Sequence, residues 1–130
     1  MSTQVSPPDT PTASDVNRAK SVTRDDADNY RVQMRKGVLE FAILLAISRK
    51  ERYASEILEE LKRADLIVVE GTLYPLLSRL NSAGILKYSW EESAGGPPRK
   101  YYSLTAKGKS ALAQLKDTWH TLENSITSLL

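Results

Sequence analysis

The sequence predicts a mainly α-helical chain with one small β-hairpin. Three observations support this fold class: apolar residues recur at helical spacing in successive segments, two short alternating runs flank a Gly- and Pro-rich stretch, and the last segment keeps a seven-residue apolar repeat. The chain has 130 residues, of which 41% are apolar and 26% are charged, so it is long enough to bury one core.

Composition excludes several classes of protein. The chain has no cysteine, which excludes disulfide scaffolds, thiolate metal sites and cysteine nucleophiles, and its single histidine argues against imidazole metal sites and serine–histidine catalysis. We therefore expect no catalytic residues, no metal and no cofactor, and a protein that is not an enzyme. The longest uncharged apolar run, residues 41–47, is far shorter than the roughly 20 residues of a membrane span. The first residues do not have the pattern of a secretion leader, so we do not expect secretion. We expect a cytoplasmic protein without membrane contact.

The net charge of +2 is the sum of two unlike parts. Residues 1–30 carry three basic and five acidic side chains, whereas residues 31–130 carry 15 and 11, so the parts contribute −2 and +4. The first part also holds three of the six prolines and buries too little apolar area to offset its ordering entropy. We predict a disordered tail over residues 1–27, a domain over 28–104 and a final helix over 105–130. An extra helical turn over 28–35 would be capped by Asp28 or Asn29.

Two amphipathic helices open the domain. Apolar residues over 38–47 cover so wide an arc that this helix is expected at the centre of the domain, and the polar run 48–52 ends it. The second helix ends at residues 64–65, and its apolar side chains at helical spacing are Ala54, Ile57, Leu58 and Leu61.

A third helix follows a short connector over residues 66–69. Thr72 is its predicted N-cap, because Pro75 lacks an N–H and belongs near the first turn, although a start near Glu70 stays open. Gly84 is expected in the left-handed conformation just past the end of the helix. The core stripe of the helix consists of Leu73, Leu76, Leu77 and Leu80.

The opposite face of the third helix is small and polar. It carries no acidic residue after Glu70, which suits a helix that approaches a phosphate-lined groove, but a solvated helix face can have the same composition. This face comprises Gly71, Pro75, Ser78 and Ser82, flanked by Tyr74 and Arg79.

Two alternating runs, residues 86–91 and 99–104, predict the β-hairpin. The turn-rich stretch 93–98 lies between them, and its two prolines are expected in the loop or at its margin because they lack donors. Trp90 is predicted to pack in the hairpin core against the helices. Arg99 and Lys100 near the tip are suited to phosphate contacts, although a solvated turn carries such residues as well.

The final helix starts at Thr105, its predicted N-cap, and runs to Leu130. Its apolar residues recur at alternating spacings of three and four, and this 3.5-residue period is typical of a coiled-coil seam between two subunits. The predicted dimer seam consists of Leu112, Leu115, Trp119, Leu122, Ile126 and Leu129.

The predicted elements follow the order of a winged helix-turn-helix domain with an appended C-terminal dimerisation helix: three short helices, a hairpin and a long helix. In such a domain the third helix lies in the major groove of DNA and reads base edges. A second interpretation is a dimeric winged-helix module for protein–protein assembly without sequence-specific DNA binding, because a fold does not fix a function.

Two runs of the chain carry a family signature. The first is Gly71-Thr72-Leu73-Tyr74-Pro75-Leu76-Leu77-Ser78-Arg79-Leu80, followed by Gly84-Ile85-Leu86. The second is Gly95-Gly96-Pro97-Pro98-Arg99-Lys100-Tyr101-Tyr102-Ser103-Leu104-Thr105, with Gly108 after it. Together they resemble the PadR family of transcriptional regulators, of the type with a short C-terminal helix, over about residues 34–130.

The resemblance implies a homodimeric repressor that binds double-stranded DNA at a palindromic operator. In that family the third helix reads bases, the wing contacts the backbone and the C-terminal helix pairs the subunits. Two positions depart from the family pattern. Ala54-Ser55 replace the usual Gly-Tyr, so a second tyrosine contact is absent, and Val69 replaces a frequent Ser, so one hydroxyl that would cap the helix or bind a phosphate is missing. The predicted DNA-binding residues are Tyr53, Thr72, Tyr74, Pro75, Ser78, Arg79, Arg99 and Lys100.

The resemblance also implies a small aromatic effector. Some members of this type stack flat aromatic drugs on a tryptophan at the place of Trp119, whereas a large aromatic that simply fills the seam is the other interpretation. Phenolic acids and planar cationic antibiotics are the ligand classes that the family suggests.

Overall fold

The computed structural model describes residues 21–66 and 68–130, and most of the expected tail lies outside these ranges. The mainly α-helical fold with one hairpin is confirmed. The elements are α1 (Arg24–Lys36), α2 (Leu39–Arg49), α3 (Ala54–Arg63), α4 (Glu70–Ser82), β1 (Leu86–Ser93), β2 (Gly96–Leu104) and α5 (Ala106–Leu129). Helices α2 to α4 are the three helices of the predicted winged domain, and no described helix is long and apolar enough to cross a membrane.

Helix α1 belongs to a unit that ends at Lys36, and the rest of the fold forms a second unit, Gly37–Leu130. The predicted cap at Asp28 or Asn29 is wrong, because the helix already begins at Arg24. Thr23 caps it: the Thr23 hydroxyl accepts from the Asp26 N–H at 3.1 Å, and the Asp26 carboxylate accepts from the Thr23 N–H at 3.0 Å. The hydrogen bond from the Thr23 backbone holds the pKa of Asp26 below its ordinary value.

The core of the second unit lies among α2, α3, α4, the base of the hairpin and the first turns of α5. Helices α2, α3 and α4 each contribute the apolar stripe that their spacing predicts, and burial of each large aliphatic side chain contributes about 1.5–3 kcal/mol. The core residues are Ile43, Leu44, Ile47, Ile57, Leu61, Leu73, Leu77, Leu80, Leu86, Tyr102, Leu104 and Leu112.

Helix α4 starts earlier than its predicted cap. Val69 is the N-cap residue, with an extended backbone, and its carbonyl accepts from the Thr72 N–H at 3.0 Å. Thr72 is therefore inside the first turn, so its predicted capping role is wrong and the alternative start near Glu70 is confirmed. Pro75 consequently lies inside the helix, where its missing N–H leaves the Gly71 carbonyl without the usual helical donor. Gly84 ends the helix at φ +75°, as predicted.

The hairpin is longer than the alternating runs predict. Strands β1 and β2 pair antiparallel, and only residues 94–95 separate them, so the prolines predicted for the loop lie in β2. The register shifts between the pairs Glu91–Arg99 and Ser93–Gly96, which places Pro97 and Pro98 at a bulge where the ladder needs no donors.

Only the base of the hairpin reaches the core. Leu86 and Leu104 are buried there, whereas Trp90 is 61% exposed, so the prediction that Trp90 packs against the helices is wrong. An isolated β-bridge lies on the other edge of β2, where Arg52 and Tyr102 exchange two backbone hydrogen bonds of 3.3 and 2.8 Å.

Helix α5 is divided between the core and solvent. The Thr105 hydroxyl caps it by accepting from the Gly108 N–H at 2.9 Å, as predicted. Leu112, predicted for the dimer seam, is 5% exposed and belongs to the core of its own chain, because the first turns of α5 pack on α2 and β2. Leu115 packs against the same core, whereas the side chains farther along the stripe are exposed: Trp119, Leu122, Ile126 and Leu129.

Candidate nucleic-acid interface

A cleft of about 440 Å³ lies between the start of α3, the exposed face of α4 and strand β2; we call it the wing cleft. It brings together five side chains that the sequence places far apart and predicts to contact DNA. The lining residues are Tyr53, Ala54, Ser55, Tyr74, Ser78, Pro98, Arg99, Lys100 and Tyr102. The described geometry thus gathers hydroxyls, aromatic rings and two cations on one concave surface.

Arg99 is held at the wall of the wing cleft by an aromatic ring. Its guanidinium carbon lies 4.4 Å from the centroid of the Tyr53 ring, and the Tyr101 ring meets the Tyr53 ring edge-on at 5.3 Å. Tyr53 precedes α3, and its N–H donates to the Glu56 carboxylate at 3.2 Å, which fixes the backbone there. The guanidinium is therefore oriented without being neutralised.

Lys100 is positioned in the same way. Its ammonium nitrogen lies 4.5 Å from the centroid of the Tyr88 ring and 5.3 Å from that of Trp90. Across the two described ranges, no carboxylate forms an ion pair with Lys100 or Arg99. Arg99 and Lys100 therefore remain available to an anionic partner.

Three other cations of the domain share one carboxylate. The carboxylate of Glu60 forms ion pairs with three arginines. The distances from guanidinium nitrogen to carboxylate oxygen are 3.7 Å for Arg52, 3.0 Å for Arg63 and 3.8 Å for Arg49. One carboxylate balances one of these three guanidinium charges, so the cluster keeps a net positive charge, in contrast to the wing cations, which have no carboxylate partner among the described residues.

Tyr102 forms part of the wing cleft although its side chain belongs to the core. Burial raises the pKa of its hydroxyl, and the neighbouring Tyr74 and Tyr88 act in the same direction. The ring therefore stays neutral well into the alkaline range. The alternation of β2 places Tyr102 on the core face, but the sequence does not predict that its edge also borders the cleft.

Three predicted contact residues lie outside the wing cleft. Thr72 and Pro75 are exposed on α4 but do not line it, and Arg79 forms an ion pair with Glu40 in the first turn of α2. This ion pair joins α4 and α2 at an exposed site. The structure thus separates Arg79 from Tyr74 and Ser78, which share its helix and line the cleft.

A second cavity, of about 530 Å³, lies between α2 and α5, and we call it the Trp119 pocket. Its wall is apolar, and the rings of Phe41 and Trp119 are 6.2 Å apart at their centroids. Lys116 and His120 are its polar members, and no acidic side chain lines it within the described residues. The lining is Val38, Phe41, Ala42, Leu45, Leu66, Lys116, Trp119 and His120.

Comparison with known proteins places the chain among transcriptional regulators. The sequence model of the Transcriptional regulator PadR-like family matches residues 43–114. A PadR-like transcription factor from Bacteroides fragilis is 51% identical, with a TM-score of 0.66 over 78% of this chain and 99% of that one.

Two further solved structures are similar. A PadR family regulator from Eggerthella lenta is 30% identical, with a TM-score of 0.74 over 81% of this chain and 92% of that one. A PadR-like regulator from Bacillus cereus is 38% identical, with a TM-score of 0.67 over 75% of this chain and 95% of that one. The similarity thus extends over nearly the full length of these proteins.

Proposed function

The chain belongs to the PadR-like family of transcriptional regulators, and from this membership we propose that it is a homodimeric repressor that binds an inverted-repeat operator. It is a DNA-binding regulator and not an enzyme, as the family is. The observation that carries the finer proposal is the wing cleft, in which Tyr74 and Ser78 of α4 stand beside the unpaired cations Arg99 and Lys100.

The proposed complex places the exposed face of α4 in the major groove. Tyr74 and Ser78 then face base edges, while Arg99 and Lys100 meet the phosphates that border the groove. Two subunits would present two α4 helices to successive major grooves, about 34–36 Å apart, which requires an operator with two-fold symmetry.

The test of the proposed function is binding to the promoter region that precedes the protein's own gene. Fluorescence anisotropy at fixed ionic strength should show that this duplex binds at least about 10³-fold more tightly than a scrambled duplex of equal composition. In a reporter strain, the protein should lower expression from the same promoter. Equal affinity for the two duplexes would contradict sequence-specific binding, and a raised reporter signal would contradict repression.

Replacement of Arg99 by alanine should weaken binding to every duplex by a similar factor. The guanidinium is proposed to neutralise one phosphate, so the slope of log affinity against log salt should become shallower by about one. Lys109→Ala is the matched control, because Lys109 is an exposed cation of α5 outside the wing cleft. A salt slope equal to that of the wild-type protein would remove Arg99 from the phosphate contacts.

The effector that we propose is a planar aromatic molecule with an anionic group. The apolar walls of the Trp119 pocket suit a flat ring, and Lys116 and His120 supply donors for a carboxylate, whereas a cation would find no acidic side chain among the described lining residues. Of the two ligand classes that the family suggests, this lining favours phenolic acids over planar cationic antibiotics.

In a Trp90→Phe variant, an aromatic acid that enters the pocket should quench the emission of Trp119, the one tryptophan left. The chain has two tryptophans, so the reciprocal Trp119→Phe variant is the matched control and should not respond. A planar cation of equal size should quench much less, and Lys116→Ala should weaken the response to the acid. Quenching by the cation alone would contradict the proposed ligand class.

A further inference from the structure

An exposed pair of aromatic rings lies beside the wing cleft but does not line it. Tyr88 and Trp90 lie on one face of β1 and meet edge-on, with centroids 6.2 Å apart. Trp90 is 61% exposed, although tryptophan is one of the largest apolar side chains. We call Tyr88, Trp90 and Lys100 the wing aromatic face.

The register of the hairpin connects this face to the wing cleft. Trp90 is directly opposite Lys100, and Tyr88 is directly opposite Tyr102, so the four side chains share one face of the sheet. Lys100 and Tyr102 line the wing cleft. The wing aromatic face therefore continues the cleft wall along the hairpin towards its tip.

The side chains of this face are held in place before any partner binds. The Lys100 ammonium contacts both rings, and Tyr88 packs on Trp90 on one side and on Tyr102, at 6.1 Å, on the other. A preorganised contact costs less side-chain entropy on binding than one that must be ordered. An exposed ring fixed in this way is suited to a binding surface.

The chemistry of the face matches one repeating unit of DNA. An ammonium group beside a flat apolar ring offers a charge to a phosphate and a packing surface to the sugar attached to it. We propose that the wing aromatic face is a second DNA-contact surface, on which Trp90 packs against a deoxyribose of the duplex backbone while Lys100 pairs with the adjoining phosphate. This inference rests on the proposed function, since Trp90 reaches the duplex only if DNA bound at the wing cleft extends along the hairpin over β1.

The proposed contact has an energetic signature that differs from that of Arg99. Packing of a sugar on an indole ring releases no counterion, so Trp90→Ala should lower affinity without changing the dependence on salt, whereas Lys100→Ala should reduce the salt slope by about one. Because every nucleotide carries the same sugar, the loss should be equal for operator and unrelated duplexes. We expect a loss of about five- to tenfold.

The experiment begins with the Trp119→Phe protein, in which Trp90 is the one remaining tryptophan. The protein is titrated at low ionic strength with a labelled duplex of mixed sequence, while duplex anisotropy and tryptophan emission are read together. The emission of Trp90 should change with the same midpoint as the anisotropy. Affinity is then compared among Trp90→Ala, Trp90→Phe, which should keep most of it, and Ser89→Ala, the control on the opposite face of β1.

Four results are distinguishable. Unchanged Trp90 emission during binding that anisotropy reports would overturn the inference and leave the proposed function intact, whereas the absence of any duplex binding by the wild-type chain would overturn both. A smaller mass by light scattering for Trp90→Ala would show that the face pairs copies of the chain, which also overturns the inference. If circular dichroism shows that Trp90→Ala is unfolded, the emission of the intact Trp90 still reports whether its ring contacts the duplex.

Discussion

Replacement of Leu122 by lysine is expected to separate the proposed homodimer into monomers and to lower operator affinity by about a hundredfold or more. Leu122 and Ile126 are each 53% exposed in the chain and extend the apolar stripe of α5 beyond the core. A second α5 that covered this stripe would bury the new ammonium without a partner, at a cost of several kcal/mol. A monomer would engage one half-site and would lose the second, effectively intramolecular, binding step.

Multi-angle light scattering measures the mass of the Leu122→Lys protein, and anisotropy measures its affinity for the operator. Asn124→Lys is the matched control, because Asn124 is an exposed residue of the same helix on the side away from the stripe. A dimer that survives the double change Leu122→Lys and Ile126→Lys would contradict the seam. Leu115→Lys is a poorer test, because Leu115 packs against the core of its own chain and the change would also destabilise the fold.

The apolar repeat of the last helix was sufficient to predict the helix but not what covers its stripe. A 3.5-residue period describes a line of apolar side chains, and one line can face two different partners along its length. Leu112 packs in the core of the chain, whereas Leu129 is 83% exposed. The point along α5 at which its stripe leaves the core is set by the contacts of the helix with α2 and β2. The 3.5-residue period of the apolar residues does not contain that information.

Helix starts and the hairpin loop were less predictable, because several local signals compete there. Thr72 has the side chain of a good N-cap, but the helix already begins at Glu70. Val69 is therefore the N-cap residue, although its side chain cannot accept a capping hydrogen bond. Pro97 and Pro98 indicate a loop, yet a bulge accommodates both within β2. The conformational preference of a residue permits several positions in a helix or strand, and tertiary contacts determine which of them it occupies.

Most of the wing cleft could be predicted once the order of elements was known. Tyr53, Tyr74 and Arg99 come from three different elements, and the winged-helix order alone places these elements side by side. Arg79 could not be placed, because its partner Glu40 lies on a distant segment and no local pattern links the two residues. Trp90 shows the same limit, since period-two alternation assigns it a face of the strand but not what covers that face.

The start of α5 is attached directly to the end of α4. Thr105 N–H donates to the Ile85 carbonyl at 3.1 Å, and the Lys107 ammonium donates to the Ala83 carbonyl at 2.8 Å. Gly108, in the same turn, approaches Ile85 so closely that a Cβ on Gly108 would lie 2.1 Å from the Ile85 carbonyl oxygen. This junction fixes the angle between the helix proposed to read DNA and the helix proposed to pair the subunits.

Replacement of Gly108 by alanine is therefore expected to destabilise the domain by about 1–3 kcal/mol, because the new methyl group must displace the backbone of Ile85 or the first turn of α5. Thermal unfolding followed by circular dichroism should show a melting temperature lower by several degrees. Ser110→Ala is the matched control, since Ser110 is exposed on the same turn.

Any folded Gly108→Ala dimer should also lose operator affinity, because a changed angle at this junction alters the spacing of the two α4 helices. An unchanged melting temperature would contradict the close approach at Ile85, and normal operator affinity in a destabilised variant would contradict the role of the junction in half-site spacing.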